Sequence, residues 1–73
     1  MDQILEMLKR KHPLIDFTTE KQLMTNGLLD SLAVVGIIAE LEQMFNISVT
    51  MEYIQPENFE SAETMWEMVQ ELQ

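Results

Sequence analysis

Apolar residues recur three and four positions apart from Ser31 to Phe45, and this period is that of one face of an α-helix. At about 100° per residue, one arc of the helical wheel holds the predicted core residues: Val34, Ile37, Ile38, Leu41, Met44 and Phe45. The adjacent arc holds Ser31, Leu32, Val35, Ala39 and Glu42. The segment therefore predicts a helix that turns Leu32 and Val35 away from the core and beside a serine.

The rest of the chain predicts further helices. A first helix is expected from about Asp2 to Lys11, with Asp2 as its N-cap and Pro13 ending it. A short helical piece is expected near Pro56 to Phe59, because proline suits a first helical turn. Ser61 is expected to cap a last helix whose apolar face carries Met65, Met68, Val69 and Leu72. The predicted fold is all-α, a bundle of three main helices and one short helix in a single domain, residues 1–73.

A long loop from Leu14 to Gly27 separates the first two predicted helices. Gly27 is expected to adopt a backbone conformation that other residues avoid, and Asn46 is expected to cap the C-terminal end of the second helix. The loop contains apolar residues that we expect to anchor it across the helices: Ile15, Phe17, Leu23 and Leu28.

Composition argues against an enzyme. The chain has no cysteine, which excludes a thiolate metal site and a cysteine nucleophile. Its only histidine, His12, has no adjacent nucleophile, and no glycine-rich phosphate loop, zinc-protease motif or calcium loop occurs. We therefore expect a chain that is not an enzyme and holds no metal. No apolar run is long enough for a membrane span, and we expect a cytoplasmic monomer.

The net charge of −9 is unevenly distributed along the chain. All four basic residues lie in the first 21 positions, whereas the segment from Gln22 to Gln73 has nine acidic residues and no lysine or arginine. Such a surface repels nucleic acid and attracts a protein partner with a basic patch. The alternative is an acidic face that only maintains solubility.

Ser31 has two interpretations. Its position at a helix start suits an N-cap, whose hydroxyl accepts a hydrogen bond from a backbone N–H. However, Leu28, Leu29 and Leu32 surround it with apolar side chains that a solvated cap does not require. This environment favours a serine with a function of its own.

The motif Asp30-Ser31-Leu32 before a helix resembles the phosphopantetheine attachment site of acyl carrier proteins. The resemblance covers nearly the whole chain, since Leu41 to Ile47 is similar to the end of the family's second helix. Pro56 to Ser61 and the apolar tail are similar to its third and fourth helices. The resemblance implies that Ser31 holds a covalent 4'-phosphopantetheine arm whose thiol carries cargo as a thioester. It also implies three kinds of partner: a phosphopantetheinyl transferase, a loading enzyme and a downstream transferase or synthase.

A docking surface around Ser31 is implied as well, because carriers are recognised by basic surfaces on their enzymes. We expect Leu32 and Val35 at its apolar centre, Asp30 as a recognition residue for the transferase, and further contributions from Ala39, Glu40 and Glu42. The alternative is that Leu32 and Val35 are isolated exposed apolar residues, which are common.

The cargo is acyl or aminoacyl, and the sequence leaves the pathway open. Carriers of bacterial fatty-acid synthesis typically read Asp-Ser-Leu-Asp with another acid three residues later, and here these positions are Ala33 and Gly36. The stretch from Gly27 to Ser31 resembles D-alanyl carriers and carriers of polyketide or nonribosomal-peptide pathways. The expected function is therefore a carrier of fatty-acid, polyketide or nonribosomal-peptide-type biosynthesis. The alternatives are a D-alanyl carrier of teichoic acid modification and an acidic helical interaction module without an arm.

Two further features have alternative explanations. Gly36 lies inside the predicted helix, where glycine costs about 1 kcal/mol relative to alanine, and it indicates close contact either with the long loop or with a partner helix. Met44, Met65 and Met68 either fill gaps in the core or form an adaptable lining for a bound acyl chain.

Overall fold

Three α-helices form where the hydrophobic pattern predicts them: α1 Asp2–Lys11, α2 Ser31–Phe45 and α3 Ala62–Leu72. The computed structural model describes residues 1–73 and contains no β-strand, which confirms an all-α bundle. The predicted short helix at Pro56–Phe59 is only a 3-10 turn, and an unpredicted 3-10 turn lies at Met51–Tyr53. Both segments are too short to prefer the i→i+4 bonds of an α-helix.

Helix α1 packs on the core through Ile4, Met7 and Leu8. It ends at Lys11, and the next residue, His12, is the C-cap, whose backbone N–H donates to the Leu8 carbonyl at 2.8 Å. The prediction that Asp2 is the N-cap is wrong, because Asp2 is the first helical residue and Met1 occupies the cap position without a side-chain hydrogen bond. Asp2 still lies in the first turn, where a negative charge complements the helix dipole.

Helix α2 contributes the centre of the core, as the helical wheel predicts. Val34, Ile37 and Leu41 are buried, and the remaining core-facing residues are half-buried: Ile38, Met44 and Phe45. The helix ends at Phe45, and Asn46 is the C-cap, whose φ of 55° is the left-handed conformation expected at this position.

Helix α3 begins at the predicted cap. The Ser61 hydroxyl accepts from the Thr64 backbone N–H at 3.1 Å, and the Thr64 hydroxyl accepts from the Ser61 N–H at 3.1 Å. This reciprocal pair is a capping box. Met65, Met68 and Val69 are buried in the core, and the half-buried Trp66 ring lies 5.9 Å from that of Phe45.

Buried side chains fix the loop between α1 and α2. Phe17 and Leu23 are buried, as predicted. The prediction that Leu28 anchors the loop is wrong, because Leu28 is 42% exposed and Leu29 is 2% exposed. Gly27, at φ 72°, reverses the chain, and the N–H groups of Leu28 and Leu29 then both donate to the Leu23 carbonyl. This turn directs only one of the two leucine side chains inward.

Glu60 ties this loop to the segment that precedes α3. Its backbone carbonyl accepts from the Leu23 N–H at 2.9 Å. Its Oε1 accepts from the N–H groups of Met24 and Thr25 at 2.7 and 3.0 Å, and its Oε2 accepts from the Thr25 hydroxyl. The loop that leads to Ser31 is therefore held by four hydrogen bonds to one residue. None of the three helices has the length and apolar character needed to cross a lipid bilayer.

Candidate functional site

Asp30, and not Ser31, caps helix α2. Asp30 has an extended backbone, with φ −104° and ψ −179°, and its Oδ1 accepts from the Ala33 N–H at 2.8 Å. Ser31 is the first residue within the helix and is exposed to solvent. The cap interpretation of Ser31 is therefore wrong, and its hydroxyl makes no hydrogen bond within the chain.

The first turn of α2 also presents unpaired backbone donors. The Val34 N–H donates to the Asp30 carbonyl at 3.0 Å and the Ala33 N–H donates to the Asp30 side chain, whereas the N–H groups of Ser31 and Leu32 have no partner in the chain. Unpaired N–H groups and the positive end of the helix dipole favour an anionic group at this point. The environment of the Ser31 hydroxyl thus suits a phosphate attached to it.

An exposed apolar stripe continues from Ser31 along the outer face of α2. Leu32 is 81% exposed and Val35 is 62% exposed, and Ala39 is exposed one turn further on. We call these three residues the outer stripe. Since positions three and four apart are neighbours on a helix surface, the stripe is continuous.

Leu28 also belongs among the exposed apolar residues near Ser31, although its apolar character predicts an anchor of the loop. The two leucines after Gly27 are adjacent, and only Leu29 is buried. No local signal in the sequence indicates which of the two leucine side chains points inward.

The three acidic residues expected at the edge of the stripe are all engaged within the chain. Asp30 caps α2. Glu40 pairs with Arg10 of α1 at 3.6 Å, and Glu42 Oε2 accepts from the Val49 N–H at 2.9 Å. Glu40 and Glu42 are half-buried. The structure therefore brings Ser31 and the outer stripe to one exposed face, and it uses Glu40 and Glu42 to hold α2 against its neighbours.

Gly36 faces α1 rather than the long loop. A Cβ atom placed on Gly36 would lie 3.6 Å from both Cε and Nζ of Lys11, which is ordinary van der Waals contact. The lysine side chain therefore lies across the backbone of α2. A groove of about 390 Å³ opens here, and its lining residues are Lys11, His12, Asp30, Leu32, Ala33 and Gly36.

The other candidate features lie away from Ser31 or inside the fold. Met65 and Met68 are core residues with exposed fractions of 0% and 2%, and Met44 is half-buried on the side of α2 that faces α1. No three His, Cys, Asp or Glu side chains converge in an arrangement that could hold a metal ion.

Comparison of the chain with protein-family models, with curated proteins and with solved structures finds no significant match. The function proposed next therefore rests on the residues of this chain and on their arrangement. The decisive arrangement is an exposed, unbonded serine hydroxyl at a helix N-terminus, next to an exposed apolar stripe.

Proposed function

We propose that this protein is a carrier that holds acyl or aminoacyl groups as thioesters on a 4'-phosphopantetheine arm attached to Ser31. The observation that carries the proposal is that Asp30, and not Ser31, makes the N-cap hydrogen bond of α2. Because Asp30 makes the cap bond, the Ser31 hydroxyl is free and exposed at the positive end of α2. A free hydroxyl beside unpaired N–H groups suits both the attack on a phosphate and the phosphodiester that results.

The attachment step needs a second protein. A phosphopantetheinyl transferase would bind coenzyme A, and the Ser31 oxygen would form a bond to the phosphorus that carries pantetheine. The bond to the second phosphate of coenzyme A would break, the nucleotide would leave with that phosphate, and the serine proton would pass to a base on the transferase. Because the reaction consumes coenzyme A, we place the carrier in the cytoplasm.

The outer stripe is the proposed docking surface for the transferase, the loading enzyme and the downstream transferase or synthase. Leu32 and Val35 offer two large apolar side chains beside the attachment point. Their burial by a partner would be favourable because it removes apolar surface from water. The chain's negative charge fits partners with basic surfaces around the same point.

Intact-mass measurement tests the proposal directly. The protein is incubated with coenzyme A and a broad-specificity phosphopantetheinyl transferase, and we expect the wild type to gain the mass of one phosphopantetheine group. Ser31→Ala should remain folded by circular dichroism and gain no mass. Ser48→Ala is the matched control, because Ser48 is also exposed but does not begin a helix, and it should gain the same mass as the wild type.

Each alternative has its own result in the same experiment. A wild type that gains no mass would favour an acidic interaction module without an arm, and a Ser31→Ala variant that still gains mass would place the arm elsewhere. The cargo is then identified by incubating the protein that carries the arm with acyl-transferring and amino-acid-adenylating enzymes and measuring which group is added. Loading by a D-alanine-adenylating enzyme alone would identify the D-alanyl carrier.

A further inference from the structure

The face of α2 that carries the outer stripe has no free charge of its own. Between Ser31 and Phe45 the only ionisable side chains are those of Glu40 and Glu42. Both glutamates are half-buried and bonded within the chain, Glu40 to Arg10 and Glu42 to the Val49 N–H. A partner that covers the stripe therefore meets apolar side chains, and no unpaired carboxylate of α2, at the centre of its contact.

One charged group from a different helix lies at the edge of the stripe. Lys11 is the last residue of α1, and its Cε and Nζ atoms lie 3.6 Å from the place that a Cβ on Gly36 would occupy. Gly36 is four positions after Leu32, so the two are neighbours on the surface of the helix. Leu32, Gly36 and Lys11 line the same groove. The Lys11 ammonium is therefore next to the apolar side chain that begins the stripe.

This ammonium is available to a partner. The two ion pairs of the chain use Arg10 and Lys21, and Lys11 is exposed and makes no hydrogen bond within the chain. Gly36 leaves room for it, because a side chain that extended beyond Cβ would compete for the space at the end of the lysine. A protein surface that covered Leu32 would remove water from the ammonium as well. Such a loss of solvation is unfavourable unless an opposite charge pairs with the group.

We infer that Lys11 determines which partners dock on the outer stripe, by favouring a contact surface that places a carboxylate opposite it and disfavouring one that places a lysine or arginine there. The inference rests on the proposed function and adds to it the chemistry of the partner's contact surface. The net charge of −9 attracts basic partners from a distance. Lys11 acts only at contact, where one mismatched charge is enough to discriminate between partners.

A charge scan of the transferase tests the inference. Each residue of its carrier-binding surface is replaced in turn by glutamate, and timed intact-mass measurements give the loading rates of the wild-type carrier, Lys11→Glu and Lys9→Glu. Lys9→Glu is the matched control, because it makes the same change in net charge in the same last turn of α1. Residues two positions apart lie about 200° apart around a helix, so Lys9 points away from Lys11, and it does not line the groove. Thermal unfolding confirms that both variants are folded.

The informative quantity is the ratio of the wild-type loading rate to that of each carrier variant. For Lys11→Glu this ratio should rise about two- to fivefold, the range expected of one exposed charge pair, with the transferase variant whose new carboxylate faces Lys11. For Lys9→Glu the ratio should stay constant across the scan. Ratios that are constant for both carrier variants, or that change together, would overturn the inference and leave the carrier function standing. Failure of the wild-type carrier to gain mass with the unchanged transferase would overturn both.

Discussion

The carboxylate of Asp30 and the hydroxyl of Ser31 lie at the same helix end but differ in what they bond to. Asp30 accepts a hydrogen bond from the Ala33 N–H, and Ser31 makes none. Substitution of the aspartate should therefore lower the stability of the fold. Substitution of the serine should prevent attachment of phosphopantetheine and leave the stability unchanged. The two residues can be separated by experiment because they contribute to different properties.

The Asp30 cap is tested by a pair of variants. Asp30→Ala should lower the free energy of unfolding by about 0.5–2 kcal/mol, because it leaves the Ala33 N–H without its partner. Asp30→Asn should lower it much less, since asparagine is also a good N-cap. Urea unfolding measures both values, and equal losses in the two variants would contradict the cap assignment.

The asparagine variant also separates the cap from the charge. If the transferase recognises the negative charge of Asp30, Asp30→Asn should load more slowly than the wild type while its stability stays close to it. Equal loading rates would show that Asp30 acts on modification only through the helix start.

At the scale of elements, the hydrophobic period was sufficient to place all three helices. The bounds of α1 and α2 agree with the prediction because each helix has a strong apolar face and a clear stop signal, at Pro13 and at Asn46. The cap of α2 was not predictable from period alone, because Asp30 and Ser31 are adjacent and both are good caps. Backbone geometry decides between them.

The roles of the acidic residues on α2 could not be predicted from the sequence either. On a helical wheel, Glu40 and Glu42 lie at the edge of the solvent-facing side of α2. Their partners, Arg10 of α1 for Glu40 and the Val49 N–H for Glu42, come close to them only in the folded chain. Likewise, nothing local in the sequence indicates that the Gly36 backbone lies under Lys11. Such contacts between distant segments depend on how the helices pack.

The outer stripe makes a prediction about α2 as an element. Leu32→Asp and Val35→Asp should each change the melting temperature little, because both side chains are mostly in water, and each should sharply reduce the loading rate. Ile37→Asp, in the same helix but at 0% exposure, is the control and should unfold the protein. Thermal unfolding and timed intact-mass measurements report the two properties. Unfolding of the Leu32 or Val35 variant would mean that the stripe supports the fold.

The hydrogen bonds between Glu60 and the loop predict a sensitivity to acid. The Thr25 hydroxyl and the N–H groups of Thr25 and Met24 lower the pKa of the Glu60 carboxyl below its ordinary value of 4.5, and the hydroxyl contributes most. A pKa that is lower in the folded state stabilises the fold above the unfolded-state pKa, and this stabilisation is lost as the pH falls through the folded-state pKa. Hydrogen bonds from Thr18 lower the pKa of Asp16 and one from Lys21 lowers that of Glu63, so both groups add to the effect in the same direction.

Variants of Thr25 isolate the contribution of Glu60. Thr25→Val removes the donor hydroxyl and should flatten the fall in unfolding free energy as the pH is lowered below 4.5, the ordinary pKa of a glutamate carboxyl, because the folded-state pKa of Glu60 would lie closer to that value. Thr25→Ser keeps a hydroxyl and should retain the wild-type slope. Urea unfolding at several pH values gives the slopes. Identical slopes for valine and serine would show that the Thr25 hydroxyl does not stabilise the Glu60 carboxylate.

At the scale of the whole molecule, the excess of negative charge is the property that affects both stability and association with partners. The chain carries a net charge of −9 within a body whose longest extent is 28 Å. Arg10 and Lys21 join the basic N-terminal part to acidic residues of α2 and α3. Such exposed ion pairs contribute little, about 0–1 kcal/mol each. Repulsion among the remaining acids therefore exceeds what the few bases offset.

Salt should consequently have opposite effects on stability and on loading. The screening length is about 30 Å at 0.01 M ionic strength, which spans the molecule, and about 8 Å at 0.15 M, which reaches only near neighbours. Raising salt across this range should increase the melting temperature, because repulsion within the folded chain weakens. The same change should slow loading by a basic transferase, since attraction between the approaching proteins is screened as well. Thermal unfolding and initial loading rates measured in one salt series give both responses. A loading rate that does not change with ionic strength would show that docking depends on Leu32 and Val35 and that the acidic surface serves solubility.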